Sequence, residues 1–363
     1  MRGLKLTMTI NFYLCKKGFI MYKILRPLLF RFPPELAHNM TLNLLKFLRY
    51  LPFSGTFIRW IFSYNDEKLE KEVFGLKFKN PLGLAAGFDK NGEMYNDLAN
   101  LGFGFIEIGS LTPVEQIGNP RPRVFRLVED NAIINRMGIN NKGVKNAIKH
   151  LKTHKPKIIV GGNISKNASC SNETAALDYE KSFTQLYDFV DYFVLNISCP
   201  NVKGLVKLQD INILSEIIDR LTAIRKFNDE YRPILIKVSP DLTFDQLDEI
   251  IELILISGID GIVATNTTTS RESLKTSKDI LKKIGDGGLS GEPLFNKTLE
   301  IVKYIHRKSG GMFPIIAVGG ITTVERAKEM LDAGASLIQI YTGFIYNGPG
   351  FVKKILKHLS NNQ

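Results

Sequence analysis

A short apolar run that ends in amides, a thiol and a proline is the part of the sequence best suited to chemistry. The run Tyr192–Ile197 is typical of a buried strand, and it leads through a serine into Cys199, a proline and Asn201. Proline cannot continue a strand ladder, so these side chains gather where the strand ends. Cys199 is therefore a candidate proton acceptor, and Asn196 and Asn201 could hold a planar polar substrate. Because free cysteine is also among the most buried residue types, a purely structural Cys199 stays open at this point.

Further apolar runs alternate with helical patterns, and they predict the elements that must position this chemistry. The predicted core strands are Leu82–Ala85, Phe105–Gly109, Ile158–Asn163, Tyr192–Ile197, Ile234–Val238, Gly261–Thr265, Ile315–Val318 and Leu337–Ile340. Helical patterns such as 211–227, 244–257 and 324–333 lie between most of them. The alternation predicts an α/β protein, a right-handed parallel (β/α)8 TIM barrel whose strand ends meet at one mouth. A small hairpin near residues 74–78 and an extra loop or hairpin over 112–139 are also expected.

Almost every predicted strand is followed by a small residue, an amide or a lysine. Gly319 and Gly320 after the seventh strand, and the amides after the eighth, suit a phosphate group. Residues 287–291 are predicted to be a flexible glycine-rich loop beside them. Lys237, in the fifth strand, would be a fixed cation that stabilises a ring gaining negative charge. Flavin mononucleotide (FMN) meets both requirements, so the residues favour it as cofactor.

Composition and charge argue against several classes of protein. The chain has 363 residues, of which 44% are hydrophobic and 23% charged, as in an ordinary globular protein. Its three cysteines lie far apart without the spacing of metal ligands, which favours a reducing compartment and argues against a disulfide framework or a metal site. Nine of its twelve net positive charges lie in the first 60 residues. The rest is nearly balanced, which argues against a nucleic-acid groove across the fold.

The chain divides into three parts in this prediction. Residues 1–20 are expected to be a disordered leader or a segment upstream of the true start, because Met21 would itself be an ordinary beginning. Residues 21–70 are predicted to be an amphipathic helical module, and residues 71–363 the barrel.

Two helices are predicted within the N-terminal module. One begins at Pro33 and Pro34, and a shorter one covers Phe57–Phe62. Apolar residues recur at helical spacing from Leu36 to Leu51, between lysines and arginines. Such helices are typical of an interfacial membrane anchor, and a helical hairpin packed on its own domain is the alternative.

Six longer runs make a more specific pattern. They are, in order, Ala-Ala-Gly-Phe-Asp-Lys-Asn-Gly (85–92), Gly-Asn-Pro-Arg-Pro-Arg-Val-Phe-Arg-Leu (118–127), Asn-Arg-Met-Gly-Ile-Asn (135–140), Asn-Ile-Ser-Cys-Pro-Asn (196–201), Ala-Thr-Asn-Thr-Thr (264–268) and Gly-Gly-Leu-Ser-Gly (287–291). Together, over roughly residues 21–358, they resemble the signature runs of the dihydroorotate dehydrogenase family, and its membrane-associated, quinone-dependent class is the nearest match.

The resemblance implies an FMN-containing barrel that oxidises (S)-dihydroorotate to orotate in pyrimidine synthesis, with a membrane quinone as electron acceptor. It implies peripheral association with the cytoplasmic side of the cell membrane, and neither a nucleic acid nor an obligate protein partner. In the implied mechanism Cys199 removes the proton from C5 of the substrate while hydride leaves C6 for the flavin.

Carried over position by position, the resemblance also implies a set of residues for each ligand. Those implied to contact FMN are Ala86, Gly87, Ser110, Asn163, Asn196, Lys237, Thr265, Gly291, Gly320, Tyr341 and Thr342. Those implied to surround the substrate are Lys90, Asn135, Arg136, Met137, Gly138, Ile139, Asn196, Asn201, Asn266 and Thr267. His38 and Arg126 match polar positions that line the quinone tunnel.

One position departs from the quinone-dependent pattern and leaves other functions open. The base there is usually serine, whereas Cys199 is typical of the soluble class, which reduces fumarate or passes electrons to a partner subunit that reduces NAD. A thiol, with an ordinary pKa of about 8.5, becomes an anion more readily than a hydroxyl and is chemically sensible as a base. Two wider alternatives are another FMN barrel oxidoreductase, acting on dihydropyrimidines or dihydrouridine, and a nucleic-acid-binding protein without enzymatic activity.

Overall fold

A barrel of parallel strands forms the centre of the molecule. The computed structural model describes residues 22–198 and 211–362. Its strands are β1 (Lys71–Val73), β2 (Leu76–Phe78), β3 (Leu82–Leu84), β4 (Phe105–Leu111), β5 (Val124–Leu127), β6 (Ala132–Asn135), β7 (Ile159–Ile164), β8 (Tyr192–Asn196), β9 (Ile234–Val238), β10 (Gly261–Ala264), β11 (Gly288–Gly291), β12 (Ile315–Val318) and β13 (Leu337–Ile340). Eight of them close in the order β10-β12-β13-β3-β4-β7-β8-β9. These are the eight strands that the sequence predicts, so the predicted (β/α)8 TIM barrel is confirmed.

Helices cover the outside of the barrel. They are α1 (residues 22–30), α2 (Pro34–Arg49), α3 (Ser54–Phe62), α4 (Tyr95–Ala99), α5 (Val144–Thr153), α6 (Ala175–Leu186), α7 (Ile211–Lys226), α8 (Phe244–Ser257), α9 (Lys278–Ile284), α10 (Phe295–Ser309), α11 (Val324–Asp332), α12 (Thr342–Asn347) and α13 (Gly350–Asn361). The local sequence explains α8, for example. A capping box of Thr243 and Gln246 begins it, a buried apolar face that includes Ile250 runs along it, and Gly258 ends it with a φ of +76°.

Inside the barrel, an aromatic layer closes the end opposite the mouth. The β1–β2 hairpin, which the sequence predicts near this position, brings Phe78 edge-on to Phe105 with ring centroids 5.2 Å apart. Strand glycines make room for the rings: a Cβ on Gly83 would lie 2.4 Å from the Phe105 ring, and one on Gly161 would lie 2.2 Å from the Tyr192 ring. The apolar floor leaves the next layer, toward the mouth, for polar side chains.

A three-stranded antiparallel sheet, in the order β11-β6-β5, flanks the barrel. Its β5–β6 hairpin lies within the predicted insertion over 112–139. The prediction of a flexible loop at 287–291 is wrong, because Gly288–Gly291 pairs with β6 in regular register. Glycine is needed here for close approach, since a Cβ on Gly287 would lie 2.7 Å from the carbonyl oxygen of Asn135.

The N-terminal helices pack on the barrel through polar side chains together with a few apolar ones, such as Leu42 and Leu45 of α2. Glu35 of α2 pairs with Arg123 at 2.9 Å, and Arg49 donates to Asp97 at 3.1 Å. The apolar stripe predicted for α2 is the exposed side, as at Phe47. The sequence missed helix α1, and the prediction for residues 1–20 lies outside the described residues. No described helix is long and apolar enough to cross a bilayer.

Candidate active site

A chain of hydrogen bonds joins polar side chains from four strand ends in the mouth. Asn163 Nδ2 donates to Glu107 Oε1 at 2.7 Å, and Ser110 Oγ donates to Asn163 Oδ1. Asn196 Nδ2 donates to Ser110 Oγ at 2.7 Å. Asn266 Nδ2 in turn donates to Asn196 Oδ1 at 3.2 Å. Four of these five residues are among those that the sequence predicted for flavin or substrate, and the structure brings them together.

Opposite charges lie in the same interior layer. Lys237 Nζ is 3.9 Å from Glu107 Oε1, with the two side chains 8% and 0% exposed. Gln339 Nε2 donates to Glu107 Oε2 at 2.7 Å. Leaving a buried charge unpaired costs several kcal/mol, so this ion pair and its hydrogen bonds make a charged interior layer possible. Sequence reasoning singled out Lys237 and missed Glu107 and Gln339.

Two glycines shape the side of the mouth where a phosphate was predicted. Gly320 has a φ of +70°, and a Cβ there would lie 2.4 Å from the first Cα of α10. Gly291 has a φ of +105°, and a Cβ there would lie 2.4 Å from the Asn131 carbonyl oxygen. Ser290 Oγ lies 2.8 Å from Thr342 Oγ1. Only glycine fits the two tight positions, which leaves backbone rather than side chains facing this space.

The remaining predicted flavin contacts lie around the same mouth. Thr265 Oγ1 is 3.2 Å from the Thr298 hydroxyl. Tyr341 donates its hydroxyl proton to the Gly87 carbonyl oxygen at 3.3 Å, and burial raises the pKa of Tyr341 to about 12. Ala86 is half-buried beside Gly87. These residues therefore form an uncharged wall, in contrast to the Lys237–Glu107 pair deeper in the barrel.

Lys90, a predicted substrate residue, lies beside the end of β4. Its Nζ donates to the Gly87 carbonyl oxygen at 2.7 Å, and Gly87 N donates to the Gly109 carbonyl oxygen at 2.7 Å. Burial lowers the pKa of Lys90 to about 8; the Glu35 carboxylate opposes this shift and the Arg123 guanidinium adds to it. Lys90 is thus a half-buried cation whose charge an anionic ligand would stabilise.

The predicted substrate run from Asn135 to Ile139 borders the mouth at the end of β6. Asn135 Nδ2 donates to the Gly288 carbonyl oxygen at 3.4 Å. The Arg136 guanidinium stacks on the Phe125 ring at 4.6 Å and donates to Asp286 O at 2.9 Å, so this side chain is directed to the loop before β11.

The backbone that follows in this run is strained. Met137 is half-buried, Gly138 is buried, and Ile139 has a φ of +54°. A β-branched residue is rare in the left-handed region, and strain of this kind clusters at functional sites.

The end of β8 leads toward the predicted base. Ser198 is fully buried, and its Oγ accepts a hydrogen bond from Asn266 Nδ2 at 3.0 Å. Asn266 Oδ1 accepts from the backbone N–H of Thr267 at 2.8 Å. Cys199 and Asn201 lie outside the described residues, so their roles stay predictions.

A column of aromatic rings connects α2 with the mouth. The His38 ring packs edge-on against Phe88 with centroids 4.9 Å apart, and Phe88 packs edge-on against Tyr341 at 5.7 Å. Burial, followed by the charge of Lys90, lowers the pKa of His38 to about 3. His38 is therefore neutral at physiological pH, and a continuous path of rings leads from it to a predicted flavin contact.

Arg126, the second predicted tunnel residue, binds the end of α1. It donates to the Phe32 carbonyl oxygen at 2.9 Å, and its guanidinium lies 4.5 Å from the Phe30 ring centroid. Tyr22 and Arg26 connect α1 to α12, because they donate to its backbone carbonyl oxygens at 2.5 Å and 3.0 Å. Neither contact was predicted, because nothing in the sequence of α1 marks it as a partner of α12.

Comparison with known proteins identifies the family. The family model of dihydroorotate dehydrogenase matches residues 68–362. The chain is 50% identical over 336 residues to a dihydroorotate dehydrogenase (quinone) of Christiangramia forsetii, covering 92% of this chain and 97% of the relative. It is 44% identical over 340 residues to the protein of that name in Gloeobacter violaceus, covering 94% of each. A ligand-free crystal structure of DHODH from Eimeria tenella superposes with a TM-score of 0.82 at 35% identity, covering 91% of this chain and 94% of that one. The chain therefore belongs to the dihydroorotate dehydrogenase family of flavin-dependent oxidoreductases.

Proposed function

We propose that this protein oxidises (S)-dihydroorotate to orotate in pyrimidine synthesis, with FMN as cofactor and a membrane quinone as electron acceptor. The observation that carries the proposal is the mouth itself, where Asn163, Ser110, Asn196 and Asn266 form one hydrogen-bonded chain. Amides and hydroxyls in this arrangement suit two stacked planar ligands rich in amide groups.

Three features of the mouth fit FMN. Lys237 is a buried cation beside the network, Gly320 and Gly291 leave space that a side chain would fill, and Tyr341 supplies an apolar ring face. The eleven residues predicted for FMN would hold its ring at the Lys237 side and its phosphate at the Gly320 and Thr342 side. When bound, FMN supplies the ability to accept hydride and to pass electrons on.

The substrate is proposed to bind between Lys90 and the amides of the mouth. Lys90 would pair with the carboxylate of dihydroorotate, while Asn196, Asn266 and Asn201 would hold its ring amides. Cys199 would remove the proton from C5 of the substrate, which requires the thiolate form. By pairing with the substrate carboxylate, Lys90 would orient the dihydroorotate ring for proton removal by Cys199.

The electron acceptor is proposed to enter beneath α2. His38 and Arg126 would line the entrance, and the His38 and Phe88 rings form an apolar path to Tyr341. Residues 21–70 would lie on the cytoplasmic surface of the membrane through the exposed stripe of α2 and α3, with residues 71–363 as the barrel and no obligate protein partner. Aromatic and aliphatic side chains with flanking basic residues favour such a surface.

Cys199 favours a second candidate, in which the acceptor is fumarate or NAD. Anaerobic mixing of the purified yellow protein with dihydroorotate, followed by separate additions of a quinone, fumarate and NAD, separates the two. We expect dihydroorotate to bleach the flavin absorbance, and quinone to restore it at least a hundredfold faster than either alternative. Faster recovery with fumarate or NAD would contradict the quinone assignment, and an unbleached flavin would contradict the substrate.

A further inference from the structure

We infer that Glu107 is a positioning residue, which fixes the orientation of the amides around the flavin and offsets the charge that Lys237 presents to it. The inference rests on the proposed function, because it concerns the FMN site of the mouth. Glu107 is fully buried in β4, and no sequence pattern had assigned it a role.

The hydrogen bonds around Glu107 can run in only one direction. A carboxylate only accepts, so Asn163 must turn its NH2 group toward Glu107, as it does at 2.7 Å. Its Oδ1 is then left to accept from Ser110, whose Oγ accepts from Asn196. Asn266 continues the series by donating to Asn196 Oδ1.

Every bond in this series therefore donates toward Glu107. Each amide has one donor and one acceptor end, and a reversal at Asn163 would turn its Oδ1 toward the Glu107 carboxylate, so that two acceptors would face each other. With Asn163 held in place, Ser110 uses its one proton on Asn163 Oδ1 and can only accept from Asn196. Glu107 thus sets the direction in which the series donates. Because Asn163 and Asn196 are proposed flavin contacts, Glu107 sets their hydrogen-bonding pattern without touching the flavin itself.

The negative charge of Glu107 also offsets the positive charge of Lys237. Lys237 Nζ lies 3.9 Å from Glu107 Oε1, and it is the only cation within 4 Å of that carboxylate among the described residues. The pair is close to neutral, so the flavin meets less positive potential than Lys237 alone would provide. Removing the negative charge would make reduction of the flavin, which adds negative charge to its ring, more favourable.

The test uses the full-length FMN-loaded protein and the variant Glu107→Gln, which keeps the shape and removes the charge. The midpoint potential is measured by equilibration with a reference dye under slow enzymatic reduction. We expect the equilibrium to shift at least tenfold toward reduced protein flavin, which is about 30 mV for a two-electron couple. The FMN dissociation constant should also rise at least tenfold, since a glutamine can donate and so disturbs the amide series.

Two further variants separate position from charge. Glu107→Asp keeps the charge but is too short for both bonds, so we expect weaker FMN binding with the reduction equilibrium within threefold of the wild type. Gln339→Leu removes a buried bond on the other side of Glu107, and should lower thermal stability without favouring reduction. The exposed Glu115→Gln is the control for a charge change of the same size and should alter neither quantity.

An unchanged potential and FMN affinity in Glu107→Gln would overturn the inference. If that variant does not fold, unchanged FMN affinity in a folded Glu107→Asp would overturn it. Either result could coexist with a wild-type flavin that dihydroorotate reduces. Failure of the proposed function would instead appear in the wild-type protein, as absent FMN or an unreduced flavin.

Discussion

The barrel mouth and the N-terminal helices direct their polar side chains to different partners. In the mouth the polar side chains bond to one another inside the barrel: Asn163 donates to Glu107, and Asn196 donates to Ser110. In α2, Glu35 and Arg49 bond to the barrel, and the apolar stripe is left on the outside. Phe47 and Phe57 are 62% and 60% exposed there.

This difference fits the two unlike ligands of the proposed function. An ordinary surface helix buries its apolar face, whereas α2 packs only a few apolar residues such as Leu42 and Leu45 against the core and leaves a larger apolar stripe exposed. Exposed aromatic side chains are unfavourable in water and favourable at a lipid surface. If the mouth holds the polar substrate and α2 meets the apolar acceptor, as proposed, changes in one should leave the half-reaction of the other intact.

The largest effect is expected from Cys199→Ala, which removes the proposed base. Loss of a general base slows proton transfer by about 10²-fold to 10⁴-fold, so flavin reduction by dihydroorotate should slow by at least about 10²-fold. Stopped-flow absorbance measures it, and reoxidation by quinone should keep its rate. Cys170→Ala is the control, since this half-buried thiol has no proposed role and burial raises its pKa. Equal rates in the two variants would remove Cys199 as the base.

Lys90→Met tests the charged side of the mouth. A hydrogen bond to a charged group contributes about 1.5 to 3 kcal/mol, so orotate should bind roughly 10-fold to 100-fold more weakly. Because the pKa of Lys90 is lowered to about 8, wild-type affinity should be constant below that pH and fall up to tenfold per unit above it. Lys90→Met should lose this pH dependence.

Titration of flavin absorbance with orotate from pH 6 to pH 9.5 measures both effects. Lys145→Met, on the exposed side of α5, should behave as the wild type. A pH profile that persists in Lys90→Met would assign the titration to another group.

The outer face is tested by replacing both Phe47 and Phe57 with serine. Burying one phenylalanine contributes about 1.5 to 3 kcal/mol, so partition into phosphatidylcholine vesicles should fall at least about tenfold even with partial insertion. Flavin reduction by dihydroorotate should not change. Phe227→Ser is a matched control, because Phe227 is 92% exposed but follows α7 of the barrel rather than lying in the N-terminal helices. Equal vesicle binding by all three proteins would reject α2 and α3 as the membrane surface.

The barrel was predictable because its strands are apolar runs bounded by turn residues, as Ile234–Val238 shows. Glu107 was missed although its spacing from Phe105 places both side chains on the same face of β4. The surrounding apolar residues make 105–109 resemble a uniformly apolar strand, which conceals the period-two spacing that puts Phe105 and Glu107 on the same face.

Which face of α2 points away from the barrel was not predictable in the same way. Helical spacing from Leu36 to Leu51 shows that one face is apolar, but the pattern is the same whether that face meets a core or a membrane. The difference is decided by distant partners such as Arg123 and Asp97, which the local sequence does not contain. Contacts of α1 with α12 are equally non-local, and so were missed.

The smallest expected effect concerns the polar contacts that hold α2 on the barrel. Burial raises the pKa of Glu93, but hydrogen bonds from Lys142 and Lys46 outweigh it and lower the pKa to about 2. Because this value lies below the ordinary 4.5, the ion pairs stabilise the fold above about pH 4.5, and this stabilisation is lost as the pH falls toward 2.

Lys46→Met should therefore lower the free energy of unfolding by about 0.5 kcal/mol at pH 7, a small amount because the pair is partly exposed and Lys142 remains. The difference from the wild type, measured by urea unfolding, should hold down to about pH 4.5 and disappear as the pH falls toward 2. The matched control is Lys328→Met, which breaks an exposed pair with Asp332 on α11. Only Lys46→Met should also raise the KM for quinone, because the proposed quinone entrance lies beneath α2 and not beside α11. An equal rise in both variants would mean that the position of α2 does not control access of the quinone.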